Sequence, residues 1–162
     1  MKTLSVIFAS ILVGFCALMM TGCGGGGGDD NSADISGTWT GSGSVSGQSG
    51  TYSTTLTLSQ DGTNVSGDWD GYAVTGTFDG TTLNLTITPF TQSGVSITGH
   101  GTGTYDGTYL NNITITATGT KGTQTVSSTA SISRLSRSAN FADTGADGLG
   151  QAMSSSLVSS VE

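Results

Sequence analysis

Residues 61–80 read DGTNVSGDWDGYAVTGTFDG, and the spacing of their turns indicates the architecture of the whole chain. Asp-Gly pairs begin at Asp61, Asp70 and Asp79, nine residues apart. Between these pairs, single apolar residues alternate with Thr, Ser and Gly, and a period of two places the apolar side chains on one face of a β-strand. Asp-Gly between such runs is a strong β-hairpin signal, because a type I′ turn needs positive φ at both central residues. We therefore expect short antiparallel strands that follow one another as a meander.

The same alternation extends outward to about residues 35 and 135, and a fourth Asp-Gly pair begins at Asp106. It predicts eight strands, of which the fifth ends at Pro89, because proline cannot donate to a strand ladder. An open sheet would leave two unpaired edges and a bare apolar face, whereas a closed barrel removes both. The sequence therefore predicts an all-β domain, a single antiparallel eight-stranded meander β-barrel. A two-sheet β-sandwich is the alternative.

Glycines on the predicted inward face leave a choice between a bend and a cavity. They are Gly67, Gly76, Gly99, Gly101 and Gly103. A missing side chain either lets a strand bend sharply or leaves room in the interior. An eight-stranded barrel is just wide enough to be filled by side chains or to hold one small ligand. We favour bends, because small barrels need corners.

Residues 1–22 have the features of an export signal: a positive start at Lys2, an apolar run to Met20, and small residues after it. With Cys23 next, the stretch resembles the bacterial lipoprotein signal, whose cysteine is acylated and becomes the first residue of the mature protein. The resemblance implies a lipid anchor on Cys23 and, because Gly24 is not Asp, the outer membrane of the cell envelope. An ordinary secretory signal with an incidental cysteine is the alternative. A transmembrane helix is disfavoured, because the run is shorter than the roughly 20 residues that a span needs.

The chain divides into four parts on this basis. They are the signal peptide at 1–22, the lipidated cysteine and Gly-rich tether at 23–33, the barrel domain at 34–137, and a C-terminal tail at 138–162. Five glycines follow Cys23 and predict a flexible tether.

The tail carries a helical period. Its apolar residues recur at spacing four behind Asp147, a candidate N-cap: Leu149, Met153, Leu157 and Val161. The spacing predicts a short amphipathic helix that lies against the barrel or across its mouth. The serines of this segment weaken its helicity and leave disorder as the alternative.

Gly37-Thr38-Trp39, at the start of the first strand, resembles the Gly-x-Trp element of the lipocalin and avidin group of up-and-down barrels. The resemblance implies that Trp39 closes one end of the barrel under a basic side chain of the last strand. Arg134 is the first candidate for that partner and Arg137 the second. The resemblance also implies an interior that binds a small apolar or amphipathic ligand. The aromatic residues that would line such a site, or fill a core instead, are Trp39, Trp69, Tyr72, Phe78 and Tyr105.

The residues present no catalytic, metal-binding or cofactor motif. Apart from Cys23, the mature chain has no cysteine, because Cys16 lies in the signal. His100 is the only histidine, and alternation points it outward with no second ligand to complete a metal set. Asp61, Asp70, Asp79 and Asp106 fall in turns, where Asp bonds its own backbone, and Asp68 points to the hydroxyl face of the third strand. Paired-carboxylate hydrolysis therefore has no support. We expect no catalysis, no cofactor and no metal.

The charge balance narrows the classes of partner. The net charge is −7, and removal of Lys2 with the signal makes it −8. Nucleic acid is excluded, because binding its backbone requires a basic surface. The first hypothesis is a non-catalytic envelope lipoprotein whose barrel binds a small apolar or amphipathic ligand. The alternative is a structural or protein-interaction lipoprotein, an inhibitor or assembly factor, with a filled barrel and a working loop such as residues 90–94.

Overall fold

The structure, a computed structural model, describes residues 33–138 and 148–161. The predicted signal peptide, the lipidation site Cys23, the tether before residue 33 and the candidate N-cap Asp147 lie outside the described residues. The described elements are β1 Gly37–Val45, β2 Tyr52–Asp61, β3 Asn64–Trp69, β4 Tyr72–Phe78, β5 Thr82–Gln92, β6 Val95–Tyr105, β7 Tyr109–Lys121, β8 Gln124–Arg137 and α1 Leu149–Ser160. None of the helices within these two ranges has the length and apolarity to cross a membrane.

Each strand pairs antiparallel with the next, and β8 pairs with β1, so the sheet closes into a barrel. This confirms the predicted eight-stranded meander barrel over the sandwich. Because consecutive strands alternate in direction, the hairpins fall at two opposite ends. The entry end, with Trp39 and Arg137, is where β1 begins and β8 ends. The helix end, with Trp69 and Tyr72, is where β1 ends, β8 begins and α1 packs.

The four Asp-Gly pairs between residues 61 and 107 all lie at hairpin turns. Only Asp70-Gly71 has positive φ at both residues, 50° and 88°, as a type I′ turn requires. The loops that begin at Asp79 and Asp106 are longer, and their carboxylates accept hydrogen bonds from backbone N–H groups two and three residues further on. Asp therefore stabilises these turns through its side chain as well as through its backbone.

Strand β5 runs past Pro89 to Gln92, so the prediction that it ends at Pro89 was wrong. The register between β5 and β6 shifts between Ile87 and Phe90, where two residues of β5 oppose one of β6. Such a β-bulge contains an unpaired residue, so proline is tolerated there without loss of a ladder bond. Phe90 consequently belongs to a strand and is half buried, and only residues 93–94 form the turn that follows.

The inward glycines separate into two groups. A Cβ on Gly67 or Gly76 would lie 1.8 or 1.9 Å from a carbonyl oxygen of the adjacent strand, so the backbones approach closely at these two positions. A side chain has no room at these two positions, so neither glycine marks a cavity. At Gly99, Gly101 and Gly103 a Cβ would instead meet isoleucine side chains at 2.8–3.0 Å. The space beside these three glycines is filled by packing and leaves no cavity there.

Candidate functional site

The five aromatic residues singled out in the sequence separate into two clusters at opposite ends of the barrel. At the entry end, Tyr105 makes edge-on contacts with Trp39 and Phe78, with ring centroids 5.9 Å apart in both pairs. At the helix end, Tyr72 lies 6.4 Å from Trp69. There it also stacks on Phe90, at 4.6 Å between ring centroids. Phe90 is a member of the second cluster that sequence alternation did not find, because the bulge beside Pro89 changes which side of β5 faces inward.

The entry end is closed by residues of the barrel itself. Trp39 is 0% exposed, and its indole N–H donates to the backbone oxygen of Ile35 over 2.9 Å. The guanidinium of Arg137 lies over the indole, 4.9 Å from the ring centroid. Arg137 also donates from Nη2 to the backbone oxygen of Asp34 over 2.6 Å. Trp39 is thus a core aromatic with a cationic cover, and the entry end has no opening at this position.

The cover of Trp39 is Arg137, the second candidate, and the predicted pair of Trp39 with Arg134 is wrong. Arg134 lies over the ring of Tyr109 instead, 4.6 Å from its centroid. The cause is a register shift in which Ser133 and Arg134 of β8 together oppose a single residue of β1. A bulge of this kind reverses the alternation of the strand. Arg134 therefore points outward, and Arg137 reaches the rim of the interior.

The helix end is closed by α1, which confirms an amphipathic helix across the mouth. The side chains predicted to share its apolar face are all at most 4% exposed: Leu149, Met153, Leu157 and Val161. Two barrel glycines provide sockets for this helix. A Cβ on Gly43 would lie 2.8 Å from Leu149, and one on Gly119 would lie 3.2 Å from Leu157. The wall of the barrel and the helix are therefore complementary in shape.

The carboxylate of Asp70 connects the helix end of the barrel to the first turn of α1 by hydrogen bonds. Its Oδ2 accepts the backbone N–H of Gly150 over 3.0 Å and the hydroxyl of Thr54 over 2.9 Å. Its Oδ1 accepts the backbone N–H of Thr55 over 2.7 Å. Thr54 in turn accepts the indole N–H of Trp69 over 2.8 Å. Asp70 thus satisfies one of the free N–H groups at the start of α1 from a distant part of the chain.

The helix contributes little stabilisation of its own. Its N-cap, Gly148, makes no side-chain capping bond. The first turn of α1 has no acidic residue, and the last turn has no basic residue. Two further polar contacts come from the barrel. The Tyr72 hydroxyl lies 3.0 Å from the Ser154 hydroxyl, and Gln48 donates to the backbone oxygen of Ala152 over 3.3 Å. We conclude that packing on the barrel, not helical propensity, holds α1 in place.

Asp70 gives the protein a specific pH dependence. Burial raises its pKa above the ordinary value of 3.8, and the charge of Asp68 adds to this effect, against the hydrogen bonds that lower the pKa. A raised pKa in the folded state means that Asp70 contributes stability below its unfolded pKa and that this contribution is lost as the pH rises through the folded pKa.

We expect Asp70→Asn to remove that dependence. Urea denaturation gives the free energy of unfolding of the natural chain and of the variant at each pH. The difference, natural chain minus variant, should fall as the pH rises from about 3 towards 7. Asn is a suitable replacement, because it also adopts positive φ. The control is Asp68→Asn, at an exposed carboxylate bonded to the N–H of Gly71, which should keep most of the slope. A difference that stays constant or rises with pH would contradict the assignment.

The space that the described residues enclose under α1 is small. The cavity bounded by Trp69, Phe90, Met153 and their neighbours has a volume of about 10 Å³. This is close to the minimum that one water molecule needs, so no ligand fits there while α1 is seated. Ser128 is a nearby irregularity: it is 8% exposed, and its hydroxyl has no hydrogen-bond partner among the residues that the structure describes. It lies on the inward side of β8, paired with Ala117, which lines the cavity.

A shallow groove lies on the outside of the barrel, where β7, β8 and β1 meet. Its volume is about 480 Å³, and its walls carry the side chains of Ser42, Ser44, Thr114 and Ser131. Asn112, which has a φ of 52°, lies in the same groove beside the bulge of β8. Because bulges bend and twist a strand, they account for this local concavity.

The remaining candidate residues lie apart from one another. His100 is exposed on the outer side of β6, as predicted, between Thr86 and Thr116 of the adjacent strands. Backbone N–H groups of their own loops hold the pKa of Asp79 and of Asp106 below the ordinary value. No three His, Cys, Asp or Glu side chains of residues 33–138 and 148–161 come together as a metal site would require.

The helix end therefore differs from the entry end in two respects. It is closed by α1, a separate segment of the chain, and polar groups lie beside its aromatic residues, Trp69 and Tyr72. We regard it as the candidate ligand site. Comparisons of the chain with protein-family models, with curated proteins and with solved structures find no match.

Proposed function

We propose that the chain is a non-catalytic envelope lipoprotein whose barrel takes up one small apolar or amphipathic ligand at the helix end, in the place that α1 occupies. The observation that supports this proposal is the closure itself. Strand side chains fill the entry end, but a separate helix fills the mouth at the helix end. A barrel whose mouth is closed by a separate segment can exchange that segment for a ligand without breaking a strand pair.

The composition of α1 favours its release. It has 12 residues, a length at which an isolated helix is marginal in water. Its sequence, LGQAMSSSLVSS, contains one glycine and five serines, which are poorer helix formers than alanine. The hydroxyls of Ser159 and Ser160 bond back to carbonyl oxygens four residues earlier, a contact that slightly destabilises helices. Displacing α1 therefore costs mainly its packing on the barrel.

The side chains of α1 indicate what the open mouth would accept. Leu149 and Leu157 fill the sockets at Gly43 and Gly119. Met153 covers the aromatic cluster at the helix end. An apolar chain of similar width would make the same contacts. Because the site is open only in the fraction of molecules that have released α1, the measured Kd equals the intrinsic Kd divided by that fraction.

The proposed anchor is compatible with this site. Its basis is the lipoprotein-like signal and Cys23 in the sequence. The chain enters the barrel at the entry end, where Asp34 contacts Arg137. The point where the chain enters the barrel and the proposed mouth therefore lie at opposite ends.

We expect Leu157→Glu to open the mouth, because a carboxylate at this buried position is costly to desolvate. Binding of the neutral apolar dye Nile red, measured by its fluorescence, should tighten by about tenfold or more, since removal of the cover raises the open fraction. The matched control is Ser155→Glu, which adds the same charge to the exposed side of α1 and should leave binding unchanged. A chain that ends after residue 138 is the second test. A folded open variant, verified by circular dichroism, that binds the dye no better than the natural chain would refute the proposal.

The second candidate function is a protein-interaction lipoprotein with a permanently filled barrel. The cavity of about 10 Å³ favours it, as does the shape complementarity between α1 and its glycine sockets. In that case the working surface lies outside the barrel, and the groove of about 480 Å³ is a candidate for it. Absence of dye binding in every folded variant would select this alternative.

A further inference from the structure

We infer that the ligand of the helix end carries a hydrogen-bond-donating head group without negative charge, and that this group takes the place of the first turn of α1 at Asp70. The inference rests on the proposed function and names the chemical class of its ligand. That class is a neutral or cationic amphiphile with at least one O–H or N–H group beside its apolar chain.

The first reason is the set of donors around Asp70. Thr54 and Thr55 belong to the barrel and remain when α1 leaves, whereas the N–H of Gly150 leaves with it. A half-buried carboxylate oxygen that has lost a donor is poorly compensated. Burial already raises the pKa of Asp70 with all three donors present, so the charged form gains from any donor supplied.

The second reason is the sign of the surrounding charge. Asp68 is close enough to raise the pKa of Asp70, and no cation contributes to that shift. Of the three described cations, Arg134 and Arg137 lie towards the entry end, over the rings of Tyr109 and Trp39. Lys121 is exposed at the helix end, on the hairpin between β7 and β8, and does not contribute to the shift in the pKa of Asp70. A carboxylate or phosphate head at Asp70 would therefore meet like charge without a compensating cation.

The third reason is a set of polar groups at the mouth. Tyr72 and Gln48 now bond Ser154 and the backbone of α1, and both would be free to bond a head group after its release. Ser128 is independent of this set. Its hydroxyl is buried on the inward side of β8 and has no partner in the described chain while α1 is seated. Because buried hydroxyls are normally bonded, this one indicates a polar partner that α1 does not provide.

The test compares four probes with one chain length and different heads: octylammonium, 1-octanol, octyltrimethylammonium and octanoate. The full chain is reconstituted in phosphatidylcholine vesicles at about pH 7.5, above the ordinary carboxyl range. Binding is followed by tryptophan fluorescence, since Trp69 lies under α1, at each probe's measured free concentration. We expect octylammonium and 1-octanol to bind about tenfold or more tightly than octanoate. Octyltrimethylammonium, which has the same charge but no N–H, should bind more weakly than octylammonium.

Asp70→Asn removes the charge and keeps a residue that tolerates the positive φ of the turn. The preference for octylammonium over octanoate should fall by about tenfold, while 1-octanol still binds. The control Asp68→Asn should retain most of the preference, and circular dichroism verifies the fold of both variants.

The outcomes separate the inference from the proposed function. Octanoate binding as tightly as octylammonium would overturn the inference and leave the ligand site standing. Equal binding of octylammonium and octyltrimethylammonium would overturn the requirement for a donor. If no probe binds the natural chain or a folded chain that ends after residue 138, the proposed function itself fails.

Discussion

Gly67→Ala is expected to destabilise the barrel by at least about 3 kcal/mol, at the upper end of the cost of overpacking. The new Cβ would lie 1.8 Å from the carbonyl oxygen of Thr57 and 2.9 Å from its carbonyl carbon. Both atoms belong to the backbone of β2, so no side-chain rotation can relieve the overlap, and the two strands must separate. Without the overlap, Ala in a strand would be more favourable than Gly by about 0.5–1 kcal/mol, so the sign of the change is itself diagnostic.

Urea denaturation of the purified chain measures this effect. The matched control is Gly101→Ala on β6, another inward position, where the new Cβ would meet the side-chain atom Cγ1 of Ile115 at 3.0 Å. Because that side chain can shift, we expect a cost of about 1 kcal/mol or less. Equal effects at Gly67 and Gly101 would show that the close approach of β2 and β3 is not rigid.

Trp39→Ala is expected to cost about 3–5 kcal/mol, the usual range for deleting a fully buried large aromatic side chain. The substitution removes the contact with Tyr105, the bond to the backbone of Ile35, and the surface beneath Arg137. These contacts join the segment before β1 to the ends of β6 and β8. Their loss therefore opens the entry end as well as leaving a cavity.

Two further variants separate the contributions of the indole N–H and of the arginine cover to this loss of stability. Trp39→Phe keeps an aromatic ring but loses the indole N–H, which should cost about 1 kcal/mol beyond the change in volume. Arg137→Ala removes the cationic cover of the ring, worth about 0.5–1 kcal/mol at an exposed site, together with the hydrogen bond to the backbone oxygen of Asp34. If Arg137→Ala destabilises the barrel as much as Trp39→Ala, the arginine and not the buried ring closes the entry end.

The fold was predictable because its signals are local. Asp-Gly pairs at nine-residue spacing indicate consecutive hairpins, and alternation indicates which side of each strand is buried. Closure follows from the cost of exposing two edges and an apolar face. The spacing of four residues between Leu149, Met153 and Leu157 likewise predicted which face of α1 is buried.

Bulges account for the errors, because each one reverses the alternation beyond it. The bulge at Ser133 and Arg134 exchanged the roles of Arg134 and Arg137. The bulge beside Pro89 lets β5 continue beyond the proline and places Phe90 against Tyr72. No single residue type marks a bulge in a chain so rich in Gly, Ser and Thr, so the pattern alone could not locate them.

The candidate site was only partly visible in the sequence. Trp69 and Tyr72 were identified as aromatic candidates, but alternation could not separate them from the cluster around Trp39. Asp70 was recognised as a turn residue, which it is. Its second role depends on contact with Gly150, 80 residues later in the chain, and no local pattern encodes such a contact.

The order of elements along the chain has a consequence for when the proposed ligand site would be accessible. All eight strands precede α1, and residues 39 and 137 complete the ring before the helix is needed. In a chain that emerges from its N-terminus, the barrel is therefore complete while its mouth is still uncovered. On the proposed function, a ligand present at that moment would enter without displacing α1, whereas a ligand that arrives later would have to compete with the seated helix. Under the same proposal, the occupancy of the barrel would depend on the molecules that surround the chain as it folds. Two populations with the same sequence would then differ in bound ligand for as long as α1 stays seated.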